Sequence, residues 1–249
     1  MSISPSSAMH DESEIKSFSV NDEFPSHAEL TGALKMVVKE TNGGFGLNMW
    51  ATMVDRDGVV QTVTFTGDDR GDQWPGSRVI SAQKANTANA FSLPGLALST
   101  ANLFYAVQPG GSLYGLQASN PIDVDVAYGG SSIDYGTVDD PMRGYKIGGV
   151  NVFGGGLPLY DSDGLLIGAI GVSGDSSCAD HIISWKVRDA LGLDSIPGGV
   201  SPTGDDNIVF DIAVDGDGHQ KSTSGWGHPL CADSALSIAE ELPATHPVG

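Results

Sequence analysis

The sequence predicts an α+β fold, an antiparallel sheet covered by helices, on three observations. Two apolar hairpins, Trp50–Phe65 and Leu157–Ser173, each turn on an aspartate-rich tetrapeptide ending in glycine: Asp55 to Gly58 in the first, Asp161 to Gly164 in the second. Helical periodicity precedes, separates and follows them, in the order helix–hairpin–helix–hairpin–helix. Glycine is abundant at 34 of 249 residues, yet with 13 prolines the chain stays below the ~25% Gly plus Pro of low-complexity sequence. The chain is folded and rich in turns.

Taken in order, residues 1–25 are polar, acidic and without period, and are expected to form a disordered N-terminal arm. Ser26 opens a helix through Glu40 whose buried stripe is Leu30, Leu34, Val37 and Val38; Asn42-Gly-Gly44 stops it. The hairpin 47–66 is followed by a charged loop, 67–76, and by a second helix over 78–92 that ends before Pro94-Gly95. A shorter helix is predicted near 96–107. A glycine-rich insertion, 108–148, carries Tyr114, Tyr128, Tyr135 and Tyr145, and its Val124-Asp-Val126 predicts an edge strand. In the second hairpin glycines fall at 168, 171 and 174, every third residue. So many missing side chains let either a helix or a flat ligand approach the backbone. Ser176 to His181 then opens the last helix, with Ile183, Val187 and Ala190 on one face. These elements set a domain at 26–193. The remainder, 194–249, reads as an extension packed on it, with one strand at Ile208–Val214 and coil after it.

Charge narrows the function classes. Twelve Lys and Arg against 31 Asp and Glu give a net −19. Nucleic acid and anionic membrane surfaces are bound through Lys and Arg, so neither is an expected partner. No stretch approaches the ~18 apolar residues of a membrane span. The first ten residues have neither a basic region nor an apolar run and are not read as a signal peptide. Cys178 and Cys231 each precede Ala-Asp and each lie near a histidine, His181 and His228. A disulfide between them would staple the tail to the last helix and imply export to an oxidising compartment; two unrelated thiols are the alternative.

Three motifs in order resemble the GlcG/HbpS-like (DUF336-type) family of haem-binding domains. They are Lys84-Ala-Asn-Thr87-Ala, then Gly155-Gly-Leu-Pro-Leu, then Gly168-Ala-Ile-Gly-Val-Ser-Gly174 with Asp180 beyond it. The resemblance spans roughly residues 28–192; the insertion and the tail depart from it. It implies the profilin-like version of the α+β fold, haem as cofactor and a homo-oligomer. Its implied role is haem sequestration or slow haem degradation, by a binding protein more than by an efficient enzyme.

The site residues follow from that implication. Haem iron takes an axial His, Met, Tyr or Cys, and His181 borders the glycine strand where a flat ring could lie. A histidine hydrogen-bonded near the Cys178 turn is the competing reading. His27, at the start of the first helix, is the second axial candidate. Haem propionates need local cations on so acidic a protein, because screening confines attraction to about 8 Å. Arg78, Lys84, Arg143 and Lys146 are the candidates, although Lys84 tied to a carboxylate or a strand-end carbonyl fits equally. Thr87, Gly171 and Ser173 complete the cofactor-binding set. Asp-x-Asp-Gly recurs at 55–58, 161–164 and 215–218, but the twelfth position is Thr66, Val172 or Trp226 where a calcium loop needs glutamate. These are turns, and no calcium site is expected. Gly171-Val-Ser173-Gly lacks the closing glycine of a nucleophile elbow. Two further readings stay open: a protein acting on a small organic acid in a Lys84–Ser173 cleft, and a purely structural oligomer.

Overall fold

In the computed structural model, which describes residues 24–216 and 218–249, both hairpins join one antiparallel sheet. Strands β1 (Trp50–Asp55) and β2 (Val60–Phe65) form the first, β3 (Gly156–Tyr160) and β4 (Leu166–Ser173) the second. Their order across the sheet is β2-β1-β4-β3. The seam is β1 on β4, with Thr52 opposite Gly171 and Val54 opposite Ala169. The aspartates close the turns themselves. Asp55 accepts from the Asp57 and Val59 amides, and Asp161 from those of Asp163 and Leu165. Of the third Asp-x-Asp-Gly turn, Asp217 lies outside the described residues, while Asp215 accepts from the His219 amide.

Side-chain alternation splits the sheet into two covered faces. Ala51, Met53, Ile170 and Val172 pack with helices α1 (His27–Val37) and α5 (Ser177–Ala190). Trp50, Val54 and Ala169 pack under α2 (Ser77–Phe91) through Val79, Ala82, Ala85 and Ala88. Each fully buried Val, Leu, Ile or Met contributes about 1.5–3 kcal/mol relative to exposure. Helix α1 starts where the sequence places it: the Ser26 hydroxyl accepts from the Glu29 amide, and the Glu29 carboxylate accepts from the Ser26 amide.

Several expectations are corrected. Val124-Asp-Val126 is no edge strand but opens a short helix over Val124–Tyr128, because the Asp123 carboxylate accepts from the Asp125 and Val126 amides and caps it. The helix expected near 96–107 is two 3-10 turns, Thr100–Leu103 and Tyr105–Val107. Only Ile212–Val214 of the tail strand is a strand, paired with Gln220–Ser222; Ile208 and Val209 are buried before it. The last residues are helix rather than coil, Asp233–Thr245, whose Ala235, Ala239 and Leu242 join the α1–α5 core. Most of the predicted arm, 1–23, lies outside the described residues; Phe24, at its end, is buried in that core.

The tail is fastened at several points. Cys178 and Cys231 form a disulfide with Cα atoms 6.0 Å apart. Arg188 and Asp206, both buried, pair through two hydrogen bonds of 2.7 and 2.8 Å. Trp185 Nε1 donates to the His246 carbonyl at 2.9 Å.

Candidate functional site

The glycine strand receives a helix. A Cβ on Gly171 would fall on the Ser81 carbonyl oxygen and 2.6 Å from the Ala85 nitrogen, both on the α2 backbone. A Cβ on Gly156 would crowd the Lys84 carbonyl. The residues named around this strand are therefore interior. Lys84 is fully buried; its Nζ donates to Asp180 Oδ2 at 2.6 Å and to the Val172 carbonyl at 3.0 Å. The carboxylate and the strand carbonyl are both its partners. Burial pushes the Lys84 ammonium down and raises the Asp180 carboxyl to about 6, their mutual attraction offsetting only part of each effect. The Thr87 hydroxyl donates to the Gln83 carbonyl and accepts from the Asn151 amide, and Ser173 is buried on the α2 side. Lys84 and Ser173 are both buried, so among the described residues they open onto no cleft.

His181 is also closed off. Its Nε2 accepts from the Ile208 amide at 3.0 Å and lies 3.3 Å from Asn207 Oδ1, so the tail covers it. Its Nδ1 is buried without a partner. Burial, followed by the Arg188 charge, lowers its pKa to about 3, and burial lowers that of His228 to about 4. An axial role for His181 would require the tail to move.

Three of the named residues, His27, Arg143 and Arg78, do line cavities. His27 lies with Arg143, Phe24, Val63 and Val138 around a space of about 280 Å³, its Nε2 2.8 Å from the Gly136 carbonyl. Arg78 borders a larger and more apolar pocket of about 420 Å³ at the N-terminal end of α2. Trp50, Pro75, Val79, Tyr128 and Tyr135 wall that pocket, and Arg70 stands at its edge. Arg78 is committed to Asp140 (Nε to Oδ2, 2.8 Å) and to the Ala127 carbonyl, with its guanidinium 3.7 Å over the Tyr135 ring. Arg70 has one long exposed pair, 3.5 Å to Asp69. Trp50 Nε1 is buried with no hydrogen-bond partner among the described residues, and an unpaired buried donor costs about 1–3 kcal/mol. The Tyr135 hydroxyl donates to the Tyr128 and Gly129 carbonyls, whereas the Tyr128 side chain is largely exposed.

Sequence reasoning missed Trp50, Arg70, Tyr128 and Tyr135 as a group. The signal was present in the charged loop 67–76 and the insertion tyrosines, but nothing in linear spacing brings these segments together over α2.

The comparisons with known proteins bear on this architecture. Residues 27–187, more than half of the chain, match the family described as haem degrading protein HbpS-like. No curated protein matches. Among solved structures, the PduOC:heme complex is 24% identical, with a TM-score of 0.47 over 68% of this chain and 94% of that one. The Klebsiella pneumoniae protein ORFY, a DUF336 protein, is 24% identical, with a TM-score of 0.45 over 70% and 97%. HbpS is 16% identical, with a TM-score of 0.41 over 70% and 94%. With the match running from α1 through the whole sheet and into α5, this chain belongs to the HbpS-like family of haem degrading proteins.

Proposed function

We propose that the protein binds haem, in the aromatic pocket at the start of α2. Family membership is the observation that carries the haem reading, and a haem complex among the similar structures agrees with it. The pocket suits the group chemically. Trp50, Val79, Tyr128 and Tyr135 offer an apolar and aromatic wall to a flat macrocycle. Arg70 is the cation in position to exchange Asp69 for a propionate, since Arg78 is held by Asp140. Among the described residues the pocket lining contains no His, Met or Cys, and the Tyr135 hydroxyl is already donated. Tyr128 is thus its residue of axial-ligand type. Bound haem would supply a redox-active iron; the chain's own contribution is to hold and shield it.

The His27 cavity supports a second reading, because an imidazole and Arg143 stand in it together. Haemin titration of the full chain separates these. Under the proposal the Soret band shifts and saturates at one haem per chain, and Arg70→Ala weakens affinity by roughly ten- to a hundredfold through loss of a charge-assisted contact. Binding of small carboxylates with no response to haemin would instead support the organic-acid reading. Homo-oligomerisation is part of the proposal, supported by exposed Phe45, Trp74 and Ile133; light scattering at monomer mass would remove it.

A further inference from the structure

A disulfide with a histidine beside it holds the ligands of a metal site in masked form. At Cys178–Cys231 the two sulfurs and a ring nitrogen of His228 lie within 4.8 Å of one another. We propose that, once this disulfide is reduced, Cys178, Cys231 and His228 bind a thiophilic divalent metal of the zinc type.

The histidine is already set for it. His228 Nδ1 lies 2.7 Å from the Pro229 carbonyl, which can only accept, so Nδ1 carries the proton. Nε2 therefore presents its lone pair, now accepting from the Ser177 hydroxyl at 2.8 Å. A ring N–H tied to a backbone carbonyl is the outer-shell arrangement of metal-bound histidines, and a metal at Nε2 would take the place of the Ser177 hydroxyl. The sulfurs are prepared as well. The Cys178 amide, in the first turn of the 14-residue α5, donates to Cys231 Sγ at 3.2 Å. A helix N-terminus favours thiolate over thiol.

Access sets the direction of reduction. Cys231 is exposed and Cys178 buried, so a dithiol attacks Cys231 Sγ, breaks the S–S bond and expels the Cys178 thiolate, which takes up a proton. The second thiol of the reductant resolves the mixed disulfide, leaving a cyclic disulfide on the reductant and two thiols on the protein. Metal binding then releases both thiol protons. With zinc–sulfur bonds of about 2.3 Å the sulfurs must separate to roughly 3.8 Å, a small opening. Arg188–Asp206 and the Trp185 Nε1 hydrogen bond to the His246 carbonyl keep the tail in place meanwhile. Three protein ligands leave a fourth position for water. The site would keep the tail fastened where the disulfide cannot persist.

The test uses the full chain, reduced with a dithiol that is then removed without air, and cobalt(II) as probe. The reduced protein is expected to develop thiolate-to-cobalt charge transfer and tetrahedral d–d absorption, saturating at one cobalt per chain and bleached by zinc. Oxidised protein should show neither band. His228→Ala, which leaves the disulfide able to form, should weaken cobalt binding at least about tenfold, and Cys231→Ser should abolish the charge transfer. Native circular dichroism, recorded before metal is added, establishes that the reduced chain stays folded. A folded reduced chain without charge transfer would overturn the proposal. So would equal cobalt affinity in His228→Ala, or unfolding on reduction that cobalt does not reverse.

Discussion

At the scale of single residues, the sequence offered two choices at each key position, and packing decided between them. The glycine spacing of β4 allowed a helix or a flat ligand; the α2 backbone occupies the space at Gly171, whereas Gly168 meets the β1 backbone at Val54 and Asp55 and Gly174 meets Asn48 and Met49. Periodicity cannot distinguish these because both require the same absent side chain. Gly171→Val should therefore cost at least the ~1–3 kcal/mol of an overpacked core, read as a lowered midpoint in urea denaturation; a wild-type midpoint would contradict this contact. Lys84 was legible as a rare cation in a motif, but its partner Asp180 lies 96 positions away. Leaving Asp180 unpaired in the interior, Lys84→Ala should destabilise the fold by about 3–5 kcal/mol, whereas Lys84→Met with Asp180→Leu should recover much of that loss. Denaturation of the single and double variants checks both expectations.

At the scale of elements, strands, hairpins and the three long helices of the family domain were readable because each carries its own period; Ser26 and Ser176 also cap α1 and α5, whereas α2 has no side-chain cap. What failed was short or distant. Val124-Asp-Val126 has strand composition, yet a single aspartate cap turns it into a helix. The final helix has no side-chain cap at Ala232 and contains Pro243, so its sequence lacks a start signal and holds a breaker; it forms because Ala235, Ala239 and Leu242 find the α1–α5 core. The Cys178–Cys231 link closes a 53-residue separation, for which the chain-entropy model gives about 4 kcal/mol. Cys231→Ser in metal-free buffer should lower unfolding stability by about that amount while native circular dichroism persists, because the Arg188–Asp206 pair and the Trp185 hydrogen bond still hold the tail. Unchanged stability would show that the tail docks without need of the link.

At the scale of the whole molecule, buried titratable groups set a pH dependence. His181 and His228 are held neutral by burial, at about 3 and about 4 against an ordinary 6.5. The unfolded chain binds more protons there, so their contribution is full above pH 6.5 and is lost as pH falls toward 4 and 3. Asp180, raised to about 6, works the other way: its contribution is present below the ordinary carboxylate value of 3.8 and lost as pH rises through 6. Two histidine windows outweigh one carboxyl window, and each group changes stability by about 1.4 kcal/mol for every pH unit crossed inside its window. Stability should therefore fall by about 2–3 kcal/mol from pH 7 to pH 5. Urea denaturation at the two pH values checks the sign, and His181→Gln should flatten the slope. The family was legible from its motifs because motifs are local. The pocket proposed for haem was not, since the loop 67–76, the start of α2 and the insertion tyrosines meet only in the folded chain. Haem binding in that pocket is tested most directly by the electronic spectrum of the ferric haem complex in wild type, Tyr128→Phe and His27→Ala. Phenolate ligation of ferric haem through Tyr128 predicts a high-spin spectrum with a phenolate charge-transfer band that Tyr128→Phe removes and His27→Ala leaves intact. A spectrum of imidazole ligation that persists in Tyr128→Phe and collapses in His27→Ala would contradict it.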